Sequence, residues 1–192
     1  MRKEHASLYE YLSKRTSVSE DDFMKYCHFF EVKKLKRGEF LNHQGETCTH
    51  NYFVNKGCLR LFSYNEEGRE MTRYFAFEQK FGTSLASLIN REPSNEFIQA
   101  VEKSEVLQIS RESFYHLVET VPEINLIYRD ILEMAYTTTM KRIYNFQGKS
   151  ALERLQWLMA YQPKILARLP NKMIASYLGI TPYTLSRLKS EL

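Results

Sequence analysis

Only three cysteines occur in the 192 residues, Cys27, Cys48 and Cys58, far apart and without a C-x-x-C pair. That argues against a disulfide framework and against an iron–sulfur or zinc site held by this chain alone. Each thiol is read as a small core residue. The five histidines, His5, His28, His43, His50 and His116, show neither H-x-x-x-H nor H-E-x-x-H spacing, so no metal site is expected. No Ser/His/Asp or Cys/His set has sequence support, so no catalytic residue and no cofactor is assigned, and an enzyme is not expected. No apolar run approaches the roughly 20 residues that a membrane-spanning helix needs. The opening MRKEHASLYEYLSKR lacks the apolar core of a secretory signal. A cytoplasmic location without a membrane partner follows as the expectation.

What is present is ordinary for a globular chain, 43% hydrophobic and 26% charged residues. The charge is unevenly placed. Residues 149–192 carry seven basic side chains against Glu153 and Glu191, a net +5 within a chain of net +4. A compact basic segment beside a near-neutral one suits contact with a phosphate backbone, because each neutralised phosphate releases counterions.

Two short amphipathic helices open the chain, joined by Thr16-Ser17-Val18-Ser19, with Ser19 as hydroxyl N-cap and Glu20, Asp21 and Asp22 in the first turn. From Glu31 the pattern changes. VKKLKRG, EFLNHQG, NYFVNKG, CLRLFSYNEEG and REMTRYFAF read as short β runs at near-even spacing, four of them closed by Gly, which predicts a sandwich or barrel. After Gly82 the stretch TSLASLIN is helical, and FIQAVEKSEVLQIS supplies two further strands before a helix over 111–119. Residues 123–146 then form one long helix without Gly or Pro. Its stripe of Ile124, Ile127, Ile131, Met134 and Thr138, alternately four and three apart, can bury against its own β domain or against a twin, and we favour the twin, a parallel dimer.

Gln147-Gly148-Lys149 marks a hinge. Ser150 and Glu153 have capping-box spacing, and the helix that follows buries Leu152, Leu155, Trp157 or Leu158, and Met159 before Pro163 ends it. A short helix over 164–168 precedes NKMIASYLGITPYTLSRLKS, residues 171–190. Here Ile174, Leu178, Ile180, Leu185 and Leu188 give two short helices one shared face. Ala175 is small where the helices must approach, Gly179 stands where the first must end left-handed, Thr181 is an N-cap and Pro182 fills the first helical position. This is a helix-turn-helix pattern. Its polar face of Thr181, Tyr183, Thr184, Ser186, Arg187 and Lys189, with Lys172 on the first helix, can hydrogen-bond base edges and phosphates.

The β runs, the long helix and the C-terminal helix-turn-helix together resemble the Crp/Fnr family of bacterial transcription regulators. The sharpest pieces are G-E-F-L-N-H-Q-G-E at 38–46, F-V-N-K-G at 53–57 and A-S-Y-L-G-I-T-P-Y-T-L-S-R at 175–187. The resemblance implies an α+β chain: a cyclic-nucleotide-binding-like, double-stranded, jelly-roll-like β-roll sensor domain over 1–120, a long dimerisation helix and hinge over 121–148, and an all-α DNA-binding domain over 149–192. It implies a homodimer on a pseudo-palindromic duplex, with RNA polymerase and a small-molecule effector as further partners. The effector pocket would be formed by Gly82, Thr83, Ser84, Ser94 and Asn95.

Departures from the family pattern qualify this. Relatives that bind cyclic AMP carry a G-E-L segment whose Glu holds the ribose and an R-S-A segment whose Arg holds the phosphate. Here Gly82 is followed by Thr83, and the second segment reads Ser94-Asn95-Glu96. Without the Arg a buried phosphodiester loses its bidentate partner, so a response to cyclic AMP is not expected. The chain also reaches Leu192 without the β wing that often follows the recognition helix, and Pro182 stands where many relatives place an Arg. The alternative reading is a ligand-binding module that acts through a protein partner and has lost DNA binding.

Overall fold

The computed structural model describes residues 2–190, an α+β chain whose described residues fall into two compact units.

One unit comprises residues 2–63 and 74–131. It contains α1 (Ala6–Ser13), α2 (Glu20–Tyr26), β1 (Glu31–Leu35), β2 (Phe40–Asn42), β3 (His50–Lys56), most of β4 (Leu59–Tyr64), the end of β5 (Glu70–Ala76), α3 (Leu85–Asn90), β6 (Phe97–Ala100), β7 (Ser104–Ser110) and α4 (Arg111–Thr120). The strands form two sheets, ordered β1-β7-β3 and β2-β6-β4-β5. Tyr52 and Val54 of β3 pack between the sheets with Leu59, Leu61, Ile98 and Val106. The alternate residues Phe53, Leu107 and Ile109 face the helices, which contribute Leu8, Leu12, Phe23, Phe114 and Leu117. The middle of β3 therefore reads as an unbroken apolar run, because side chains on both faces of that sheet are buried. Ser19 caps α2 as expected, accepting the Asp22 amide at 3.1 Å, and Ser110 caps α4 in the same way. Gly57 has φ +97°, and a Cβ there would lie 2.2 Å from Ser104 Oγ, so no other residue fits that turn.

The long helix α5 (Pro122–Gly148) corrects one expectation. Ile124 and Ile127 are 4% and 3% exposed, inside the same cluster as Phe114 and Leu117, and Ile131 packs against it. This half of the stripe expected to meet a second chain is therefore core of its own unit. At about 100° per residue the five stripe positions share one face, and apolar surface of the same chain takes its first two turns. Met134 is exposed and Thr138 half-buried. The opposite face of α5 carries Leu126, Tyr136, Ile143 and Tyr144, all exposed.

The other unit comprises residues 64–73 and 132–190, so the division between the units falls inside α5. It holds the turn between β4 and β5, the second half of α5, α6 (Ala151–Tyr161), α7 (Ile165–Arg168), α8 (Asn171–Leu178) and α9 (Pro182–Ser190). The capping box is present: Ser150 Oγ accepts the Glu153 amide, and the Glu153 carboxylate accepts the Ser150 amide at 2.8 Å. The Ser150 hydroxyl, 2.8 Å from the Glu153 carboxylate, and then the Ser150 amide hold that carboxyl below its ordinary pKa. Leu155 and Leu158 are the buried residues of α6, while Leu152, Trp157 and Met159 are only half-buried.

Candidate nucleic-acid interface

The local chemistry of residues 171–190 produces the expected pair of helices. Gly179 ends α8 at φ +66°, and Ile180 N–H closes onto the Ala175 carbonyl at 3.0 Å, a Schellman-type stop. Thr181 then caps α9: its hydroxyl accepts the Thr184 amide at 3.1 Å and pairs with the Thr184 hydroxyl at 2.8 Å. Ile174, Ala175 and Leu178 of α8 and Leu185 and Leu188 of α9 are buried, and the two helices pack on each other. Ile180 is only half-buried.

The polar residues divide by what they already hold. Thr181 and Thr184 spend their hydroxyls on the cap. Tyr183, 78% exposed, Ser186 and Arg187 project from the outer face of α9. Lys189 donates to Asn171 Oδ1 at 3.3 Å, and Lys172 lies 3.0 Å from Glu70 Oε1. Pro170 occupies the N-cap of α8 without a side-chain cap bond, and its carbonyl accepts the Met173 amide at 2.9 Å.

Sequence reasoning missed the residues that seat the helix pair. Arg142 of α5 lies over the rings of Phe146 and Tyr177 and donates to the carbonyls of Thr72, at 2.9 Å, and Arg73. Burial pulls its guanidinium below the ordinary pKa, and burial likewise pushes the Tyr177 phenol up. Arg154 stacks over Phe146 and donates to the Leu178 carbonyl at 3.0 Å, satisfying one end group of α8. Ser176 accepts the Thr72 amide at 2.9 Å and donates to the Glu70 carbonyl at 2.7 Å. The Phe146 to Arg142 spacing of one helical turn was the available signal; Ser176 had none.

In the other unit, four of the five expected effector-pocket residues come together and are closed over by their own bonds. Gly82 N–H donates to Tyr52 O at 2.8 Å, and a Cβ on Gly82 would lie 3.1 Å from Ala76 and Leu59. Thr83 donates to His50 O at 3.0 Å. Ser94, 2% exposed, has its hydroxyl 2.9 Å from Ser84 Oγ and accepts the Glu96 amide at 3.1 Å. Asn95, next to Ser94, is exposed.

Residues 32–121 match the family model of the cyclic nucleotide-binding domain. Among curated relatives, the cAMP-activated global transcriptional regulator CRP of Haemophilus influenzae is 26% identical, over 88% of this chain and 78% of that one. FixK2 from Bradyrhizobium japonicum shares the fold with a TM-score of 0.76 at 16% identity, over 85% of this chain and 84% of that one. A transcriptional regulator of the Crp/Fnr family from Eubacterium rectale superposes with a TM-score of 0.73 at 19% identity, covering 95% and 87%. The chain spans between 47% and 57% of the length of the first curated relatives it matches. No helix among the described residues is long and apolar enough to cross a membrane. With the roll, the long helix and the helix pair following one another in the chain, it matches the cyclic nucleotide-binding domain over residues 32–121 and shares the fold of these regulators.

Proposed function

We propose that this chain is a homodimeric, sequence-specific DNA-binding transcription regulator that does not respond to cyclic AMP. The observation that carries the reading is the two-sided α9. Leu185 and Leu188 fix one side in the core, and Thr181 fixes its start, while Tyr183, Ser186 and Arg187 stand exposed on the other. A helix held this way can enter a major groove with its first turns against base edges, Arg187 reading guanine or a phosphate and Tyr183 and Ser186 serving as adaptable donors and acceptors. Lys172 and Lys189 supply backbone contacts.

Dimerisation would use the face of α5 that carries Leu126, Tyr136, Ile143 and Tyr144, since four large exposed apolar or aromatic side chains along one helix favour a second copy. A response to cyclic AMP is disfavoured because the hydroxyls of Thr83, Ser84 and Ser94 are engaged within the roll and no Arg stands in that segment. An unidentified effector and RNA polymerase are the further partners of this reading. Fluorescence anisotropy of a labelled duplex against salt tests it: binding should weaken steeply with salt, and Arg187→Ala should lower affinity and reduce the log–log slope by about 1 if it meets a phosphate. Absence of salt-dependent binding would favour a module that acts through a protein partner.

A further inference from the structure

The hairpin of β4 and β5 carries Glu66 and Glu67 in its turn and Glu70 at the start of β5, and it meets the first helix of the helix pair. Its main chain is tied to Ser176 through the Thr72 amide and the Glu70 carbonyl, and to Arg142 through the carbonyls of Thr72 and Arg73. The Glu70 carboxylate therefore sits where it lies 3.0 Å from the Lys172 ammonium, although Lys172 itself is largely exposed. Glu66 and Glu67 are exposed at the tip, with Glu67 paired to Arg69 at 3.1 Å.

We propose that this acidic turn is a built-in competitor for the DNA backbone: Glu70 holds in the free protein the cation that a DNA phosphate takes in the complex. The inference rests on the DNA-binding reading above. The carboxylate offsets the Lys172 charge and repels a phosphate brought up to the same ammonium, so DNA binding works against the Lys172 to Glu70 pair. A pair whose ammonium is this exposed is weak. The competition therefore tunes affinity and does not abolish it, which suits a contact that an effector or a modest shift of the turn could relieve.

Glu70→Gln tests this cleanly, because the Glu70 main-chain carbonyl, which receives the Ser176 hydroxyl, is unchanged and the turn stays tied. Titrations of a labelled random-sequence duplex should show Glu70→Gln binding about two- to fivefold tighter than wild type at low salt, with a salt slope steeper by up to about 0.9. In a Lys172→Gln background the same substitution should give at most a residual gain. An unchanged affinity and slope for Glu70→Gln, with wild type binding and Arg187→Ala weakened, would overturn the competition alone. A gain that persists in full without Lys172 would also overturn it. If neither wild type nor Glu70→Gln binds duplex at any salt, the DNA-binding reading falls and the competition with it.

Discussion

Ser176 and Thr72 lie 104 positions apart in sequence, yet the Ser176 hydroxyl takes the Thr72 amide at 2.9 Å and returns its own hydrogen to the carbonyl of Glu70. β5 is an edge strand, and these are main-chain groups of the kind an edge leaves unpaired. Ser176→Ala removes both bonds at once. The expected loss is about 1–3 kcal/mol, from leaving partly buried groups without partners, and a lower urea midpoint would report it. Ser176→Thr keeps the hydroxyl and should lie closer to wild type. Equal midpoints for wild type and Ser176→Ala would show that water replaces the bridge at no cost.

Gly179 carries two demands and Gly45 one. Both have positive φ, but a Cβ on Gly179 would lie 3.2 Å from Phe146, whereas nothing lies within 4 Å of one on Gly45. Gly45→Ala should cost about 1–2 kcal/mol, the ordinary penalty of a left-handed residue with a Cβ. Gly179→Ala should cost more, because Phe146 is held between Arg142 and Arg154 and has little room to yield. Equal costs in thermal unfolding would mean that Phe146 moves freely.

The two faces of α5 give opposite expectations for assembly. Ile143→Glu places a charge on the exposed apolar face and should shift the protein toward monomer in sedimentation velocity, while Thr138→Glu should leave the dimer intact. The reverse result would return the interface to the stripe first read from the sequence. Both variants keep good helix formers, so helix content should stay constant.

His50 makes stability depend on pH on the acid side. Burial chiefly, and then the nearby Lys33, hold its imidazole below the ordinary value of 6.5, and its Nδ1 lies 2.9 Å from Thr49 Oγ1. The unfolded imidazole thus takes up a proton before the folded one does. Its contribution is fully present above the ordinary value and is lost as pH falls through 6.5 toward the lower folded value. Unfolding free energy measured from pH 7.5 to 5 should therefore decline less steeply in His50→Gln than in wild type. Identical slopes would assign the decline to other groups.

What was legible in the sequence is what local chemistry decides. Ser19, Ser150 and Thr181 hold amides three residues away, and Gly179 needs only its own φ, so caps and stops could be read from a few residues. Strand positions were legible through their turns. The orientation of α5 was not, because a stripe of apolar residues states that a face is buried without stating by what, and the roll of the same chain reached Ile124 and Ile127. The seating of the helix pair was invisible for the same reason, since Ser176, Arg142 and Arg154 act on main-chain groups distant in sequence. In the roll, the sequence named four residues that do gather, but not that Ser84 and Ser94 would pair with each other and Thr83 would bond the His50 carbonyl.

Selection of bound duplexes from a random-sequence pool, using the full chain, tests the central claim most directly. Two copies of α9 held by one dimer should enrich a pseudo-palindrome whose half-site centres lie about one helical turn, roughly 10 base pairs, apart. Arg187→Ala should relax the preference at one position in each half-site. A pool that emerges with no enriched sequence, or with a single unpaired half-site, would contradict the account.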